Sequence, residues 1–169
     1  RFKKDIRLTA FFNLKEPEKH HYIGIAPAIG YNYYDRLMVG AVIHNYTLPI
    51  PAFHFVAVPL YATSSKQLNG LARIGYTKYT DNKVKKIDAT IAFARFSSLQ
   101  GTDSSRNKIH GGFYKIAPAV RFTFKNKSPR SQMDKWIEWK TYFIGEKGFD
   151  YVLKKSDSVY YPTTQKYTS

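Results

Sequence analysis

Five histidines, His20, His21, His44, His54 and His110, are the side chains of this sequence best suited to proton transfer or metal binding. His20 and His21 follow Glu18, yet no His-Glu-x-x-His pair occurs, so the helix-borne zinc-protease arrangement is missing. His44 and His54 flank the connection from Asn45 to Pro51 and would meet across a hairpin. A zinc site takes three or four protein ligands, and the spacing supplies no third, so a polar role in a turn or interface is the simpler reading. No Gly-x-Ser-x-Gly nucleophile elbow, Gly-x-Gly-x-x-Gly turn or phosphate loop is present. Asp and Glu number only 12, and most stand near Lys or Arg. Glu138, with Lys140 two residues on, reads as half of a salt pair on the polar side of a strand. The sequence therefore assigns no catalytic residue, metal ligand or cofactor site, and the segment is not read as an enzyme.

The elements that must position any site are strands. From Tyr22 to Tyr34 the odd positions carry Ile23, Ile25, Pro27, Ile29, Tyr31 and Tyr33. The even positions between them carry Gly24, Ala26, Ala28, Gly30 and Asn32. Tyr114, Ile116, Pro118, Val120, Phe122 and Phe124 alternate in the same way with Lys115, Ala117, Ala119, Arg121 and Thr123. Ile87, Ala89, Ile91 and Phe93 alternate with Lys86, Asp88, Thr90, Ala92 and Ala94, and Ile6, Leu8, Ala10 and Phe12 with Arg7, Thr9, Phe11 and Asn13. A period of two is the signature of a strand with two unlike faces.

The pattern predicts about eight strands, near residues 5–14, 22–34, 37–46, 53–62, 69–79, 84–97, 113–125 and 135–145. Tight turns are expected at Asp35-Arg36 and over Thr80 to Lys83. Long polar loops are expected from Ser97 to Gly112 and from Asn126 to Asp134. Residues 1–148 form the strand region. Residues 149–169 form a polar, Tyr-rich tail or the start of a further loop or strand. Pro27 and Pro118 lie on apolar faces and cannot donate to a ladder, so each implies a bulge or an edge.

The alternation alone fits a soluble sandwich or a lipocalin-like barrel as well as a membrane barrel. Three features favour the membrane. The face opposite the bulky side chains mixes Gly, Ala, Thr, Lys, Arg and Asp, which suits a lumen. The strands run well beyond the usual five or six residues. Aromatics gather near strand ends, at Phe11 and Phe12, Tyr31, Tyr33 and Tyr34, Tyr76 and Tyr79, Phe122 and Phe124, Trp136 and Trp139, and Tyr142 and Phe143. Rings gather so at both edges of a bilayer. A membrane helix is a poorer reading. The stretch from Leu37 to Ser65 has no Asp, Glu, Lys or Arg, but Asn45 to Pro51 is polar and proline-broken.

Composition narrows the partners. The chain has 169 residues, 27 Lys plus Arg against 12 Asp plus Glu, and a formal charge of +15. Aromatics are 17% of the chain, which argues against disorder. With no cysteine, disulfide staples and thiolate metal sites are excluded. The basic residues are scattered over turns, strand ends and the small-residue face, and no nucleic-acid motif accompanies them. Nucleic acid is therefore not an expected partner, whereas a cationic lumen and basic rims facing anionic lipid or lipopolysaccharide need fewer assumptions. The chain opens on Arg1 without a signal segment and stops in a run, Gln165 to Ser169, that ends no obvious element. A piece of a longer polypeptide is expected.

Several spaced segments resemble a known family. They are Pro27 to Asn32, Tyr34 to Gly40, His44 to Pro49, Phe53-His54-Phe55, Ala57 to Tyr61 and Ser65 to Gly70, with Tyr114 to Pro118 and Phe122 to Lys127 following. Together they resemble the C-terminal outer-membrane β-barrel region of aminopeptidase-N-like zinc metallopeptidases from Bacteroidota-type bacteria. In that family the peptidase domain with its zinc ligands lies upstream, so the resemblance transfers no catalytic residue. It implies a bacterial outer-membrane barrel, or part of a larger one, that anchors a larger protein, with strands continuing beyond Ser169. Solute passage and contact with other outer-membrane subunits are further implied roles.

The expected fold is thus all-β, an antiparallel transmembrane barrel or a portion of one. Ile23, Ile25, Ile29, Tyr31, Val39, Ala41, Ile43, Ile87, Ile91, Phe93, Ile116, Val120 and Phe122 are assigned to lipid. Gly24, Ala26, Ala28, Gly30, Thr90, Ala92, Lys115, Ala117, Ala119, Arg121 and Thr123 are assigned to the lumen. The alternative is a soluble, basic β-sandwich or barrel that binds an anionic ligand.

Overall fold

The computed structural model describes residues 5–10, 20–102, 108–126, 128, 130–154 and 159–168, with side chains up to residue 148. The described residues form one ten-stranded sheet and no helix. The strands are β1 (Asp5–Ala10), β2 (His20–Asn32), β3 (Arg36–His44), β4 (Phe53–Ala62) and β5 (Leu68–Tyr79). They continue with β6 (Val84–Thr102), β7 (Lys108–Phe124), β8 (Lys135–Lys140), β9 (Phe143–Lys154) and β10 (Val159–Thr168). From β2 to β7 each strand pairs antiparallel with the next; β8 and β9 both pair with β7, and β10 pairs with β9. The sheet is open, its edge strands β1 and β10 not pairing with each other.

Three expectations need correction. The sheet is not wholly antiparallel: β1 runs parallel to β2, with Ile6 beside His21 and Leu8 beside Ile23. That register still sets Ile6 and Leu8 on the face that carries Ile23 and Ile25. Second, the expected loop from Ser97 to Gly112 is largely a ribbon, because β6 runs to Thr102 and β7 begins at Lys108. A register shift between Ser97 and Leu99 inserts an extra residue there. The ribbon carries no sustained apolar alternation, so its polar sequence resembles a loop. Third, the strand expected at 135–145 is two, β8 and β9, separated at Thr141 and Tyr142. Of the alternatives for the segment beyond 148, a tail or a further loop or strand, the structure has strand. The segment completes β9 and supplies β10. Phe11, Phe12 and Asn13 lie outside the described residues.

Both prolines sit at interruptions of pairing. Pro27 lies two residues past the last described β1–β2 pair, Ala10 with Ile25. Pro118 lies opposite the break between β8 and β9, where its carbonyl still accepts the Thr141 amide at 3.0 Å. A third, Pro59, pairs with Gly70, whose φ of 138° would strain any other residue. A Cβ at Gly70 would also strike the Val58 carbonyl.

The sheet curls toward the face of small side chains. Asn32 at the end of β2 donates through Nδ2 to the Ser97 carbonyl of β6 at 2.9 Å. Four strand spacings separate these strands in the sheet order, about 19 Å if the sheet were flat. The bridge is built around Asp35, in the turn between β2 and β3. Its side chain is 0% exposed. The carboxylate accepts the Ser65 hydroxyl at 2.5 Å, and the Ser97 hydroxyl and amide at 2.6 and 3.1 Å. Asn32 is a further donor at 3.3 Å and also accepts the Tyr34 amide at 2.9 Å. Below this knot lies a small apolar core of Met38, Leu60 and Ala62, with Ala28, Val58 and Phe96 packed against it.

Burial alone would raise the Asp35 carboxyl, but the hydrogen bonds from Ser65 and Ser97 outweigh it and hold the group below its ordinary 3.8. A depressed folded-state pKa favours the native protein above the unfolded pKa. That contribution should therefore drain away as pH falls below about 4 and through the lower folded value. Asp35→Ala strands four donors and should cost about 3 kcal/mol in denaturant unfolding. Asp35→Asn should flatten the acid limb of a stability-against-pH curve, and an unchanged limb would remove Asp35 from the account.

Candidate functional site

Register decides what each face of the sheet can do. Ile25, Ile43, Ala57, Ala72, Phe93, Ile116 and Phe143 form one unbroken cross-strand row from β2 to β9. The next row joins Phe55, Ile74, Ile91 and Pro118, and the one after it Phe53, Tyr76, Ala89, Val120 and Trp139. Toward the opposite end, Ile29 stands beside Val39 and Val39 beside Tyr61. This outer face therefore gathers all the residues assigned to lipid: Ile23, Ile25, Ile29, Tyr31, Val39, Ala41, Ile43, Ile87, Ile91, Phe93, Ile116, Val120 and Phe122. Ile29 is 78% exposed and Trp139 73% exposed, and no second layer of described residues covers the face.

The same register sends the residues assigned to the lumen to the inner face: Gly24, Ala26, Ala28, Gly30, Thr90, Ala92, Lys115, Ala117, Ala119, Arg121 and Thr123. A charged row crosses it, with Thr77 beside Asp88, Asp88 beside Arg121 and Arg121 beside Glu138. The Thr77 hydroxyl donates to Asp88 at 2.7 Å, and Lys86 pairs with Asp88 at 2.9 Å. Arg121 grips Glu138 through Nε at 2.9 Å and through Nη2, and its guanidinium lies 4.6 Å from the centre of the Trp136 ring. The salt pair expected at Glu138 thus exists, but its partner is Arg121 across the ladder. Lys140 instead lies over the Tyr142 ring at 5.1 Å, with Lys115 on the same ring at 4.2 Å.

Of the expected aromatic clusters, Tyr31, Tyr76, Phe122, Trp139 and Phe143 are on the outer face. Trp136 and Tyr79 have inner-face parity, which follows from pairing of Trp136 with Thr123. Sequence reasoning missed Phe53 and Tyr61, which stand at the two ends of β4 on the outer face. Parity counted from either end of β4 would have found them.

The inner face encloses a cavity of about 280 Å³ beside the connection of residues 45–52. Its walls include Tyr46, His54, Arg73, Lys86, Asp88 and Glu138. Tyr46 places its ring between His44 and His54, at 6.1 and 5.6 Å between centroids, and its amide donates to His44 Nδ1 at 3.2 Å. The two histidines are therefore spaced by an aromatic ring, and no group of three or more metal-ligating side chains occurs among the described residues. His54 lies over Gly75, its cross-strand partner, where any Cβ would collide with the ring. Asp35, at the opposite end, reads in the sequence as a plain turn residue. Its one signal in the sequence is the Asn32-x-x-Asp35 spacing, which suits an Asx-type turn.

Comparisons with protein-family models, curated proteins and solved structures return no match.

The Arg121–Glu138 pair is partly wetted, so solvent screens it. A double-mutant cycle of Arg121→Ala and Glu138→Ala should give a coupling of about 0.5–1 kcal/mol that shrinks with added salt. A coupling of several kcal/mol would mean that the inner face is far drier than its exposure implies.

Proposed function

We propose that this chain is a membrane-embedded β-barrel segment of a bacterial outer membrane that anchors a larger polypeptide. The observation that carries the proposal is the outer face: seven strands in register present aliphatic and aromatic side chains to the surroundings, with no layer of described residues above them. In water such a face would be a severe liability, since apolar patches on soluble proteins rarely exceed a few hundred Å². Lipid tails are a cover that needs no further protein.

The vertical order of the outer side chains supports the same reading. Phe53 and Tyr61 stand at the two ends of β4, while on β7 Phe122 lies near the C-terminal end and Tyr114 eight residues before it, where the apolar alternation of that strand begins. Eight residues separate the two rings within each strand, about 26 Å at strand rise. Tilted as barrel strands are, by about 40°, that span projects to about 20 Å, near the apolar band of about 25 Å in outer-membrane barrels. Aliphatic residues lie between these rings, joined there by Phe55, Phe93 and Phe143, whose purely apolar rings also suit acyl chains.

The resemblance described above makes the anchored polypeptide metallopeptidase-like, and this part of the proposal stands on the turn motifs alone. Outer-membrane lipid and lipopolysaccharide are the partners that the basic rims fit, with other outer-membrane subunits as neighbours at the sheet edges. Passage of anionic or peptide solutes along the inner face is a secondary role in the proposal.

Membrane partitioning with heat-modifiable gel mobility tests the reading directly. The chain should enter the detergent phase and shift on boiling; a chain that stays in the aqueous phase without detergent is a soluble basic module instead. Adjacent positions on β6 sharpen the test. Ile91→Arg should destabilise by about 2–4 kcal/mol, as a cation does near the midplane of a barrel wall. Thr90→Arg, beside Asp88 on the inner face, should cost less than about 1 kcal/mol. Thr90 is the fitting control because Ala28, also inner, packs on the Met38 core.

A further inference from the structure

The charges around the inner cavity are not equally committed. Asp88 is held by Thr77 and Lys86, and Glu138 by Arg121, so the two acids and two of the three bases satisfy one another. Arg73, the remaining base on the cavity wall, has no hydrogen bond or ion pair among the described residues. His54 shares that wall, and its Nδ1 is buried with no hydrogen-bond partner among them. A buried ring nitrogen without a partner forfeits a hydrogen bond that water would have supplied.

The register places these two groups together. Arg73 and Gly75 are alternate residues of β5 and so share the inner face, and His54 of β4 lies across from Gly75. Because Gly75 has no side chain, the imidazole settles over its backbone, and Tyr46 packs against the other part of the ring at a 44° tilt. The ring is thereby fixed on the same cavity wall as the uncommitted guanidinium of the exposed Arg73. A planar fork of N–H donors beside a fixed imidazole N–H is a receptor for an oxyanion, since guanidinium binds carboxylate and phosphate oxygens in pairs.

We propose that the inner-face cavity binds a small solute through its oxyanion group, a carboxylate or phosphate, held by the Arg73 guanidinium and the His54 Nδ1–H. The committed pairs Lys86–Asp88 and Arg121–Glu138 form the far wall and leave the pocket a net positive charge. A volume of about 280 Å³ admits a small organic anion and excludes a folded polypeptide. This site goes beyond the anchoring role, and it depends on the folded inner face rather than on what covers the outer one.

The test is calorimetric titration of the folded chain, in whichever phase the partition assay finds it, with inorganic phosphate and separately with succinate. Saturable binding of at least one anion is expected. Saturation by phosphate alone identifies a phosphate site, and by succinate alone a carboxylate site. Arg73→Gln should weaken binding by about tenfold or more, the loss expected for a charge-assisted pair. Gly75→Ala should weaken it as well, by displacing the His54 ring, and His54→Gln supplies a second variant that leaves Arg73 in place. Lys108→Gln removes an equal charge far along β7 and should change nothing. Absence of saturation by either anion at about 10 mM overturns the proposal. So does full binding by a folded Arg73→Gln, or an equal loss in Lys108→Gln, which would reduce the effect to the general positive field of the chain.

Discussion

Strand register is the constraint on which the rest of this structure depends. A slip of one residue between any two neighbours would exchange the faces of every strand beyond it. From β2 to β9 no such exchange occurs, and a row such as Ile25–Ile43–Ala57–Ala72–Phe93–Ile116–Phe143 is apolar at every step. More than a dozen large apolar side chains are consequently exposed on one surface. The register shift near Ser97 falls beyond the apolar part of β6, where both faces are polar and a change of parity costs little. The small side chains of the other face have the complementary reason. On the concave side of a curled sheet side chains converge, and Gly24, Ala26, Ala28 and Gly30 let β2 bend toward β6.

Curvature needs a fastener as well as room. Asp35 provides it by collecting donors from one turn and two strands: Ser65 from the turn after β4, Ser97 from β6 and Asn32 from β2. An ionised carboxylate can accept about four hydrogen bonds, and here the protein supplies that number. The group is thus charged, wholly buried and satisfied without a cation. Hydrogen bonds of that kind are shorter and stronger than neutral ones, which is why one residue can hold strands that lie four apart.

The sequence made the two faces legible because each long strand carries its own alternation. Six consecutive odd positions from Ile23 to Tyr33 leave no doubt about parity, and the expected spans of β4 and β5 agree with the observed ones to within a residue. Boundaries failed where alternation fails. The ribbon of 97–102 and 108–112 is Ser- and Gly-rich, and β9 and β10 mix charge with aromatics, so neither has a regular apolar alternation to read. The antiparallel expectation failed at β1, since parity is the same for either strand direction. The inner site was harder still. Arg73, His54 and Asp88 are far apart in the chain, and only the register of three strands brings them to one wall. Asp35 sits in a turn, where an acidic residue is ordinarily read as exposed.

The curl of the sheet bears on what the proposed barrel could pass. In an eight-stranded barrel, strands four apart face each other across the interior, and side chains nearly fill it. Asn32 and Ser97 meet over just that interval, so the sheet at the Asp35 end is curled at least as tightly as in a barrel of that size. Met38, Leu60, Ala62 and Phe96 occupy the space beneath. An aqueous path through this end would have to break the carboxylate knot or run beside β7 to β10, where the sheet continues. The open volume instead lies toward the other end, around Arg73 and the connection of residues 45–52. Within the proposal, the filled Asp35 end suits an anchor and confines the secondary passage of solutes to the side of β7 to β10.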